Sequence, residues 1–308
     1  MRIGIDLGGT KIEAIALADP ADGRAATLLR HRVPTPAGDY EAILNAVAGL
    51  VELTESETGR RGTVGIATPG AISPTTGLLK NSNSTVLNGK PVDRDLAARL
   101  RRPIRMENDA NCLALSEAVD GAAANARVVF GVILGTGVGG GLVVDRQLHV
   151  GPNRIAGEWG HNPLPWPRGD ELPGPECYCG KCGCIETFLS GPGLARDYRA
   201  RSGSELTAMA VVQAAEAGDA VAKECLDLYR ERLGRSLASI INVVDPDAIV
   251  LGGGLSNLAS LYPALPELLH RYTFSADAGT PVVRAMYGDS SGVRGAAWLW
   301  PGSEHPRV

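Results

Sequence analysis

Residues 2 to 17 read RIGIDLGGTKIEAIAL, an apolar segment that meets a Gly-Gly-Thr turn and continues as a second β-rich segment. This order predicts a β-hairpin. The stretch VVFGVILGTGVGGGLVV at residues 128 to 144 repeats the pattern. Because each hairpin stands in its own half of the chain, the sequence predicts two α/β lobes that each carry a glycine-rich turn.

The two glycine turns differ from the common nucleotide-binding motifs. A dinucleotide fingerprint requires its glycines to open a helix, whereas residues 12 to 17 and 142 to 144 continue as strand. Neither turn carries the Gly-Lys-Ser/Thr that ends a Walker A loop. Bare backbone amides of glycine can still approach phosphate oxygens closely, so the turns predict phosphate-binding loops. A tight hairpin alone would explain either turn taken separately.

A third glycine cluster ends the stretch DPDAIVLGGGLSN (245 to 257). Residues 248 to 251 predict a buried strand, and Ser256 is expected to cap a helix that runs to His270. Ligands of open α/β sheets lie beyond the carboxyl ends of strands. The cluster therefore predicts the border of a nucleotide pocket.

Length and charge exclude several classes of protein. A chain of 308 residues with 44% apolar content is sufficient for about two domains. A net charge of -4 argues against binding to nucleic acid or to an anionic membrane. The sequence has no apolar run that could span a bilayer, and Met1 leads directly into the first strand without the apolar core of a signal peptide. A cytoplasmic protein is expected.

Strand and helix patterns alternate between the first two glycine turns. Helices are predicted from Tyr40 to Glu57 and around Asp93 to Leu100. Between them, residues 62 to 72 form an apolar run that Pro69 and Gly70 stop. This alternation is typical of α/β units.

The stretch PIRMENDANCLALSEAV places polar residues where a strand meets a helix. Ile104 to Glu107 predict a short strand, Asn108 would cap the next helix and Asp109 would lie in its first turn. An acid favours that position for its interaction with the helix dipole alone. With Asn111 beside it, however, this junction is where α/β proteins place their chemistry, so Asp109 is a candidate functional residue.

The stretch CYCGKCGC (177 to 184) holds four of the six cysteines. In a reducing compartment clustered thiols favour a metal over disulfides. His161, with Cys177, Cys179 and Cys184, would complete a tetrahedral zinc site and fix a proline- and glycine-rich loop that cannot build its own core. Cys182 leaves alternatives open, because its C-x-x-C pairing with Cys179 could ligate metal or exchange redox equivalents, and unliganded thiols are the third reading.

The motifs GIDLGGTK, ENDAN, GTGVGGG, GEWGH, CYCGKCGCIE and LGGGLSN follow the order found in the ROK family of repressors, open reading frames and sugar kinases. The chain resembles that family over nearly its whole length. Two further stretches, KNSNSTVLNGKP (80 to 91) and GEWGHNPLPW (157 to 166), are similar to bacterial fructokinases of the mannose/fructose type.

The resemblance implies an actin-like or hexokinase-like (ribonuclease H-like) fold of two α/β lobes around a cleft, with a zinc-bound loop. We expect an N-terminal lobe of residues 1–117, completed by residues 294–308. The C-terminal lobe would comprise residues 118–293, including the zinc-binding loop at 157–186. Such proteins commonly form homodimers, and a homodimer is expected here.

The resemblance also implies the roles of individual residues. Asp6 matches the carboxylate that holds ATP-bound Mg2+, and Asp109 matches the catalytic base that accepts the proton of the attacking sugar hydroxyl. His161 would bind zinc through one ring nitrogen and face the sugar with the other. The implied sugar-binding residues are Gly70, Asn108, Asp109, Glu158, His161 and Glu186. The implied ATP-binding residues are Gly4, Ile5, Asp6, Leu7, Gly8, Gly9, Thr10, Lys11, Gly135, Thr136, Gly137, Val138, Gly139, Gly140, Gly141, Gly252, Gly253 and Gly254.

The implied reaction is ATP-dependent phosphorylation of a hexose, with D-fructose converted to fructose 6-phosphate as the first expectation. Glucokinase and N-acetylglucosamine kinase of the same family are the alternatives. A catalytically inactive sugar sensor or repressor is disfavoured, because the first strand begins at Arg2 and no helix-turn-helix precedes it, and because Asp109 is retained.

Overall fold

The computed structural model describes residues 1–20, 24–82, 84–275 and 277–301. The chain divides into two units. Unit 1 contains Met1–Asn125, Gly141–Ala156 and the described part of Met286–Val308, and unit 2 contains Ala126–Gly140 and Gly157–Ala285. This division differs from the expected lobes, because residues 118–125, 141–156 and 286–293 belong to unit 1. Residues 302–308 of the expected completing segment lie outside the described residues.

The strands, in chain order, are β1 (Arg2–Leu7), β2 (Lys11–Leu17), β3 (Thr27–Pro34), β4 (Thr63–Thr68), β5 (Ala71–Ile72), β6 (Leu79–Lys80), β7 (Ile104–Asn108), β8 (Val128–Leu134), β9 (Val138–Val144), β10 (Gln147–Leu148), β11 (Ala248–Gly252) and β12 (Val282–Arg284). The α-helices are α1 (Tyr40–Thr58), α2 (Val92–Leu100), α3 (Asp109–Val119), α4 (Ile185–Leu189), α5 (Gly191–Ser202), α6 (Ala208–Glu216), α7 (Ala220–Val244), α8 (Leu265–Tyr272) and α9 (Ser291–Trp298). Short 3-10 helices lie at Thr85–Leu87, Trp159–His161, Gly169–Glu171, Gly254–Asn257, Ala259–Ala264 and Gly288–Ser290.

The main sheet of unit 1 has the order β3-β2-β1-β4-β7. The hairpin predicted from the first glycine turn is present, since β1 pairs antiparallel with β2. β2 pairs antiparallel with β3, whereas β1, β4 and β7 run parallel. Apolar side chains of β1, including Ile3 and Ile5, lie in one core with α1 and α2. The carboxyl ends of the parallel strands therefore meet at one edge, where ligands of α/β sheets bind.

The second sheet has the same arrangement, in the order β10-β9-β8-β11-β12. β8, β11 and β12 are parallel, and β9 pairs antiparallel with β10. The chain leaves unit 2 and enters unit 1 between Gly140 and Gly141, inside β9. The similarity of the two glycine turns in the sequence thus corresponds to two sheets of related topology.

Local signals account for the limits of α1. Oδ1 of Asp39 accepts a hydrogen bond from the Ala42 amide at 3.0 Å and so caps the start of the helix. The helix ends at Gly59, whose φ of 63° is the left-handed conformation that glycine adopts without strain. The predicted helix from Tyr40 to Glu57 is confirmed to within one residue at its end.

The helix predicted to begin after Ser256 is wrong in its extent. Ser256 lies inside a 3-10 turn, and its hydroxyl donates to the Gly253 carbonyl at 2.7 Å. A second 3-10 helix follows, and α8 begins only at Leu265. Pro263 explains the delay, because it lacks the amide hydrogen that a continuous α-helix requires.

Helix α9 lies directly against the backbone of the first sheet. A methyl group on Gly4 would lie 2.0 Å from the carbonyl oxygen of Val293, and one on Gly65 would lie 1.8 Å from that of Ala296. On the other side of α9, a methyl group on Gly295 would lie 1.6 Å from the carbonyl oxygen of Cys112 in α3. These three positions admit no side chain, so glycine is required at each contact.

Glu117 joins the end of α3 to the returning chain before α9. The side chain is fully buried. It accepts hydrogen bonds from the amides of Ala122 at 2.8 Å and Met286 at 3.0 Å, and from the Ser291 hydroxyl at 2.8 Å. A buried carboxylate is costly unless it is fully hydrogen-bonded, and these donors satisfy it.

Among the described residues, none of the helices combines the length and the apolar character needed to cross a membrane.

The contact of α9 with β4 can be tested by replacing Gly65 with Ala. The added methyl group has no room beside Ala296, so we expect the thermal midpoint to fall by several degrees, equivalent to about 2 kcal/mol or more. Scanning calorimetry measures the effect. Gly49→Ala is the matched control, because Gly49 is an exposed position in α1 with open space around it. That change should raise stability by about 0.5–1 kcal/mol, and equal effects of the two substitutions would contradict the packing argument.

Candidate active site and metal centre

The junction of β7 and α3 holds the predicted base. Oδ1 of Asn108 accepts from the Ala110 amide at 2.8 Å and caps α3, as the sequence predicted, and Asp109 is the first residue of the helix. Nδ2 of Asn108 donates to the Gly70 carbonyl at 3.2 Å. Gly70 has a φ of 82°, and a methyl group there would lie 2.3 Å from the carbonyl oxygen of Lys80. The structure therefore brings Gly70, Asn108 and Asp109 together in unit 1.

Acidic side chains form a row across the same sheet. In the strand register Glu13 lies opposite Asp6, Asp6 lies opposite Ala67, and Ala67 lies opposite Glu107. The side chains of these residues therefore share one face of the sheet. Arg32 on β3 lies opposite Glu13 in the strand register, and its Nε donates a hydrogen bond to Oε2 of Glu13 at 2.7 Å. We call Glu13, Asp6 and Glu107 the carboxylate row.

Asp6 in this row has a pKa that its surroundings raise. Burial, followed by the charges of Asp109 and Glu13, raises the pKa of Asp6 to about 7, while Lys11 and Arg32 act in the opposite direction. A carboxyl group with a raised pKa keeps its proton to a higher pH than an ordinary carboxyl group, unless a cation lies beside it. Strong perturbation of this kind is frequent at functional sites.

The first glycine turn is held firmly at its base. The Gly8 amide donates to the Lys11 carbonyl at 3.1 Å, and the Thr35 hydroxyl donates to the Gly8 carbonyl at 2.7 Å. Gly9 and Thr10 are exposed. Of the predicted ATP-binding residues in β1, Gly4, Ile5 and Leu7 are buried inside the sheet, so Asp6 and the turn itself are what this segment presents outward.

The other two glycine clusters come together in unit 2. The Gly135 amide donates to the Gly137 carbonyl at 3.0 Å to close the second turn. Gly252 is paired with Ile133 near the end of β8, and Gly253, with a φ of 82°, packs on the backbone of Leu134. The clusters therefore lie at the carboxyl ends of adjacent parallel strands, as a nucleotide pocket requires.

The rest of the second turn has a packing role. The Trp159 indole nitrogen donates to the Gly139 carbonyl at 2.9 Å, and a methyl group on Gly140 would lie 2.7 Å from the Trp159 ring. Gly141 packs on α3 in unit 1. Oε2 of Glu186 accepts from the Val138 amide at 2.9 Å, which places this predicted sugar-binding residue at the turn.

The predicted zinc ligands converge. The ligand atoms of His161, Cys177, Cys179 and Cys184 all lie within 4.8 Å of one another. Sγ of Cys177 is 3.5 Å from Nδ1 of His161, and Sγ of Cys179 is 3.6 Å from Sγ of Cys184. Zn–S bonds of about 2.3 Å in a tetrahedron place sulfur atoms about 3.8 Å apart, so the donor set fits a structural zinc ion. Cys182, left open as a ligand, is exposed and outside the group.

The sequence did not identify the partner of the second nitrogen of His161. Nε2, expected to face a sugar, lies 2.9 Å from the Tyr178 hydroxyl, and the two rings meet edge to face. Burial raises the pKa of the Cys177 thiol, and it raises that of Cys184 to about 12 together with the neighbouring thiols. A metal ion at this place would therefore have to displace protons from these thiols.

A buried ion cluster holds the loop that leads to the cysteines. Glu171, 5% exposed, accepts from Nε of Arg232 at 2.8 Å and from Nη2 of Arg235 at 2.7 Å, both on α7. Arg235 also donates to the carbonyls of Trp166 at 2.6 Å and Pro165 at 3.1 Å. The loop is thus attached to α7 independently of the cysteines. Local sequence patterns gave no indication of this pairing, because the partners are far apart in the chain.

The predicted site residues are divided between the two units. Unit 1 brings together Asp6, the first glycine turn, Gly70, Asn108 and Asp109. Unit 2 brings Glu186 to the second glycine turn, and places Glu158 at the start of the 3-10 helix that ends in the candidate metal ligand His161.

Comparison with known proteins gives the class of the chain. The ROK family profile matches residues 2–303. The chain is 42% identical over 306 residues to an N-acetyl-D-glucosamine kinase of Pasteurella multocida, covering 97% of this chain and 99% of the relative. The structure of a ROK hexokinase from Thermus thermophilus matches with a TM-score of 0.85 and 34% identity over 96% of each chain. A ROK family glucokinase from Streptomyces griseus, solved with glucose and AMPPNP, matches with a TM-score of 0.76 and 28% identity over 97% of this chain and 98% of that chain.

The fold is that of a hexokinase-like sugar kinase, which confirms the predicted fold class. The chain belongs to the ROK family. The expected fructokinase subtype is not confirmed, because the relative with 42% identity is an N-acetyl-D-glucosamine kinase, one of the two kinase alternatives considered from the sequence.

The ion cluster under the loop predicts a pH dependence of stability. Burial alone would raise the pKa of Glu171, but hydrogen bonds from Arg235 and Arg232 lower it to about 2. The ionised carboxylate therefore stabilises the folded state above the ordinary value near 4.5, and this contribution is lost as the pH falls toward 2. Glu171→Gln should lower the free energy of unfolding at pH 7 by about 3 kcal/mol and flatten its acid dependence. Urea unfolding from pH 7 to pH 3 measures both.

Glu267→Gln serves as the control for Glu171→Gln. Glu267 also pairs with an arginine of unit 2, Arg271, at 2.9 Å, but both side chains are largely exposed. Its loss should cost less than about 0.5 kcal/mol. A Glu171 variant no more damaged than this control would show that the buried cluster does not hold the loop.

Proposed function

We propose that the protein phosphorylates N-acetyl-D-glucosamine with ATP as the phosphoryl donor. The observation that carries the proposal is the 42% identity to an N-acetyl-D-glucosamine kinase over nearly the full length of both chains. D-Fructose, expected from the two fructokinase-like stretches, and glucose, bound by the Streptomyces griseus glucokinase, are the competing substrates.

The proposed base is Asp109. As the attacking sugar oxygen forms its bond to the γ-phosphorus and the bond from that phosphorus to the β-phosphate oxygen breaks, the hydroxyl proton passes to the Asp109 carboxylate. The hydroxyl becomes acidic only late in the transfer, so a carboxylate suffices as base. The cap that Asn108 places on α3 fixes the residue from which this carboxylate projects.

Sugar recognition is proposed for Gly70, Asn108 and Asp109 in unit 1 and for Glu158, His161 and Glu186 in unit 2. Carboxylates and amides suit a ligand whose hydroxyls both donate and accept hydrogen bonds. A site that pairs these groups rejects analogues that leave any of them unpaired.

ATP binding is proposed for the three glycine clusters. The exposed residues Gly9 and Thr10 of the first turn and Thr136 of the second would offer amide donors to phosphate oxygens, and residues 252–254 would border the nucleoside. Asp6 would hold Mg2+, which neutralises charge between the phosphates when bound. The raised pKa of Asp6 fits this role, because a cation beside the carboxyl group favours its ionised form.

Zinc is proposed as a structural ion at His161, Cys177, Cys179 and Cys184. Cys179→Ser should reduce bound zinc from about one equivalent per chain to well below half, because one of four ligands is lost. Atomic absorption on the purified protein measures the metal. Cys182→Ser is the matched control, since Cys182 lies in the same segment but outside the converging group, and it should keep the full equivalent. Wild-type protein purified without zinc would refute the site.

The substrate proposal is tested by ADP release from Mg-ATP with N-acetylglucosamine, glucose, mannose and fructose offered separately. We expect kcat/KM for N-acetylglucosamine to exceed that for each other sugar by about tenfold or more, since one well-formed polar contact is worth about 1–2 kcal/mol. A higher kcat/KM for fructose would restore the first expectation, and ADP release with none of the sugars would favour a sensor.

Two variants assign the activity to the proposed site. Asp109→Asn should lower kcat by about 10²–10⁴-fold, the contribution of a general base. Asp39→Asn changes another acid at a helix start, and Asn caps α1 as well as Asp, so kcat should be unchanged. Near-normal turnover of the Asp109 variant would remove its role as base.

A further inference from the structure

Arg154 has a backbone conformation that is unfavourable for its residue type. It lies in the loop after β10 with a φ of 55°, in the left-handed region. The loop is closed by hydrogen bonds from the Arg154 amide to the Gly151 carbonyl at 3.2 Å and from the Ala156 amide to the Val150 carbonyl at 3.3 Å. For a residue other than glycine this conformation costs about 1 kcal/mol, and such residues concentrate at functional sites.

The side chain of Arg154 has a defined partner. Its Nη2 forms an ion pair with Oε1 of Glu107, the last member of the carboxylate row. The Arg154 side chain is 30% exposed and that of Glu107 is 12% exposed, so the pair is largely shielded from water. An ion pair in this setting is stronger than one on the open surface.

The other carboxylate oxygen of Glu107 continues the chain of contacts to the active site. Oε2 accepts from Nδ2 of Asn111 at 3.1 Å and from the Asn108 amide at 3.4 Å. Glu107 therefore touches both the residue that caps α3 and a residue in its first turn. Between these two contacts lies Asp109.

Charge gives a second reason for the pair. Glu13 at one end of the carboxylate row is paired with Arg30 and Arg32, and Glu107 at the other end is paired with Arg154. Without Arg154 the largely buried Glu107 carboxylate would lack this cation close to the start of α3. It would then be free to move away from Asn108 and Asn111 toward water.

We propose that Arg154 is a positioning residue for phosphoryl transfer. It fixes the Glu107 carboxylate, which in turn fixes the first turn of α3 so that the Asp109 carboxylate is placed to accept the sugar proton. This inference rests on the proposed function and assigns a role to a residue outside the glycine turns and the sugar-binding set.

The test is Arg154→Gly. Glycine adopts the observed φ without strain, and this gain of about 1 kcal/mol should offset the loss of the partly exposed ion pair, so the thermal midpoint should stay close to that of the wild type. Positioning predicts that kcat falls by about tenfold or more while KM for the sugar changes by less than about threefold. Arg154→Lys, which keeps the charge, should recover part of kcat. A merely structural role predicts the reverse, namely a lower thermal midpoint with kcat intact.

Arg146→Gly is the matched control. Arg146 also has a positive φ, 62°, in the turn between β9 and β10, and its guanidinium donates to the Ala124 carbonyl at 3.1 Å. It touches none of the carboxylate row in the contacts described above, so kcat should be unchanged. Equal loss of kcat in both glycine variants would mean that loop conformation, and not the contact with Glu107, is responsible.

A double-mutant cycle tests the route through Glu107. In the background of Glu107→Gln, Arg154→Gly should change kcat by less than about twofold, because the pair is already broken. Independent effects of the two substitutions would overturn the route. All assays use whichever sugar the wild type phosphorylates. An active wild type with an unimpaired Arg154→Gly variant overturns this inference alone, whereas a wild type that phosphorylates no sugar overturns the proposed function with it.

Discussion

Unit 1 depends on the close packing of α9 on the sheet, in which the backbone of the helix contacts the backbone of the strands. Gly4 and Gly65 on the sheet, and Gly295 on the helix, leave no space for a side chain. This contact also defines the surroundings of Asp6, since a methyl group on Gly292 at the start of α9 would lie 3.9 Å from Oδ2 of Asp6. The same packing that completes the core therefore removes water from a carboxylate and, with its acidic neighbours, raises its pKa.

Unit 2 fixes its long loop in two chemically different ways. The cysteine and histidine side chains converge at one end, and Glu171 pairs with Arg232 and Arg235 on α7 at the other. In the segment between His161 and Cys177, Leu164 is buried, whereas the apolar side chains of Trp166 and Leu172 are exposed, so polar contacts carry much of the attachment. Because Arg235 also binds the carbonyls of Pro165 and Trp166, the chain between the two ends is held as well. The position of His161 is thus determined by the contacts of the whole loop.

Sequence reasoning succeeded where the signal is local. The first hairpin, the cap at Asn108 and the convergence of His161 with three cysteines follow from residue types and spacings, and all are found in the structure. It failed at Ser256, where a capping residue was given more weight than the proline that follows in the chain. Contacts such as Arg154 with Glu107 join distant segments, and no periodicity reveals them. The choice of sugar is not confirmed for a related reason, since similarity in two short stretches does not describe a pocket.

The order in which the chain is made conflicts with the order in which unit 1 can be completed. β1 begins at Arg2, whereas the helix that covers it, α9, ends at Trp298. While a ribosome synthesises the chain from its amino end, the face of the first sheet that carries Gly4 and Gly65 stays uncovered until α9 has been made. Unit 2 ends at Ala285, so all of its residues are synthesised before α9. Contacts so distant along the chain slow folding, so the half that is translated first is the half that finishes folding last.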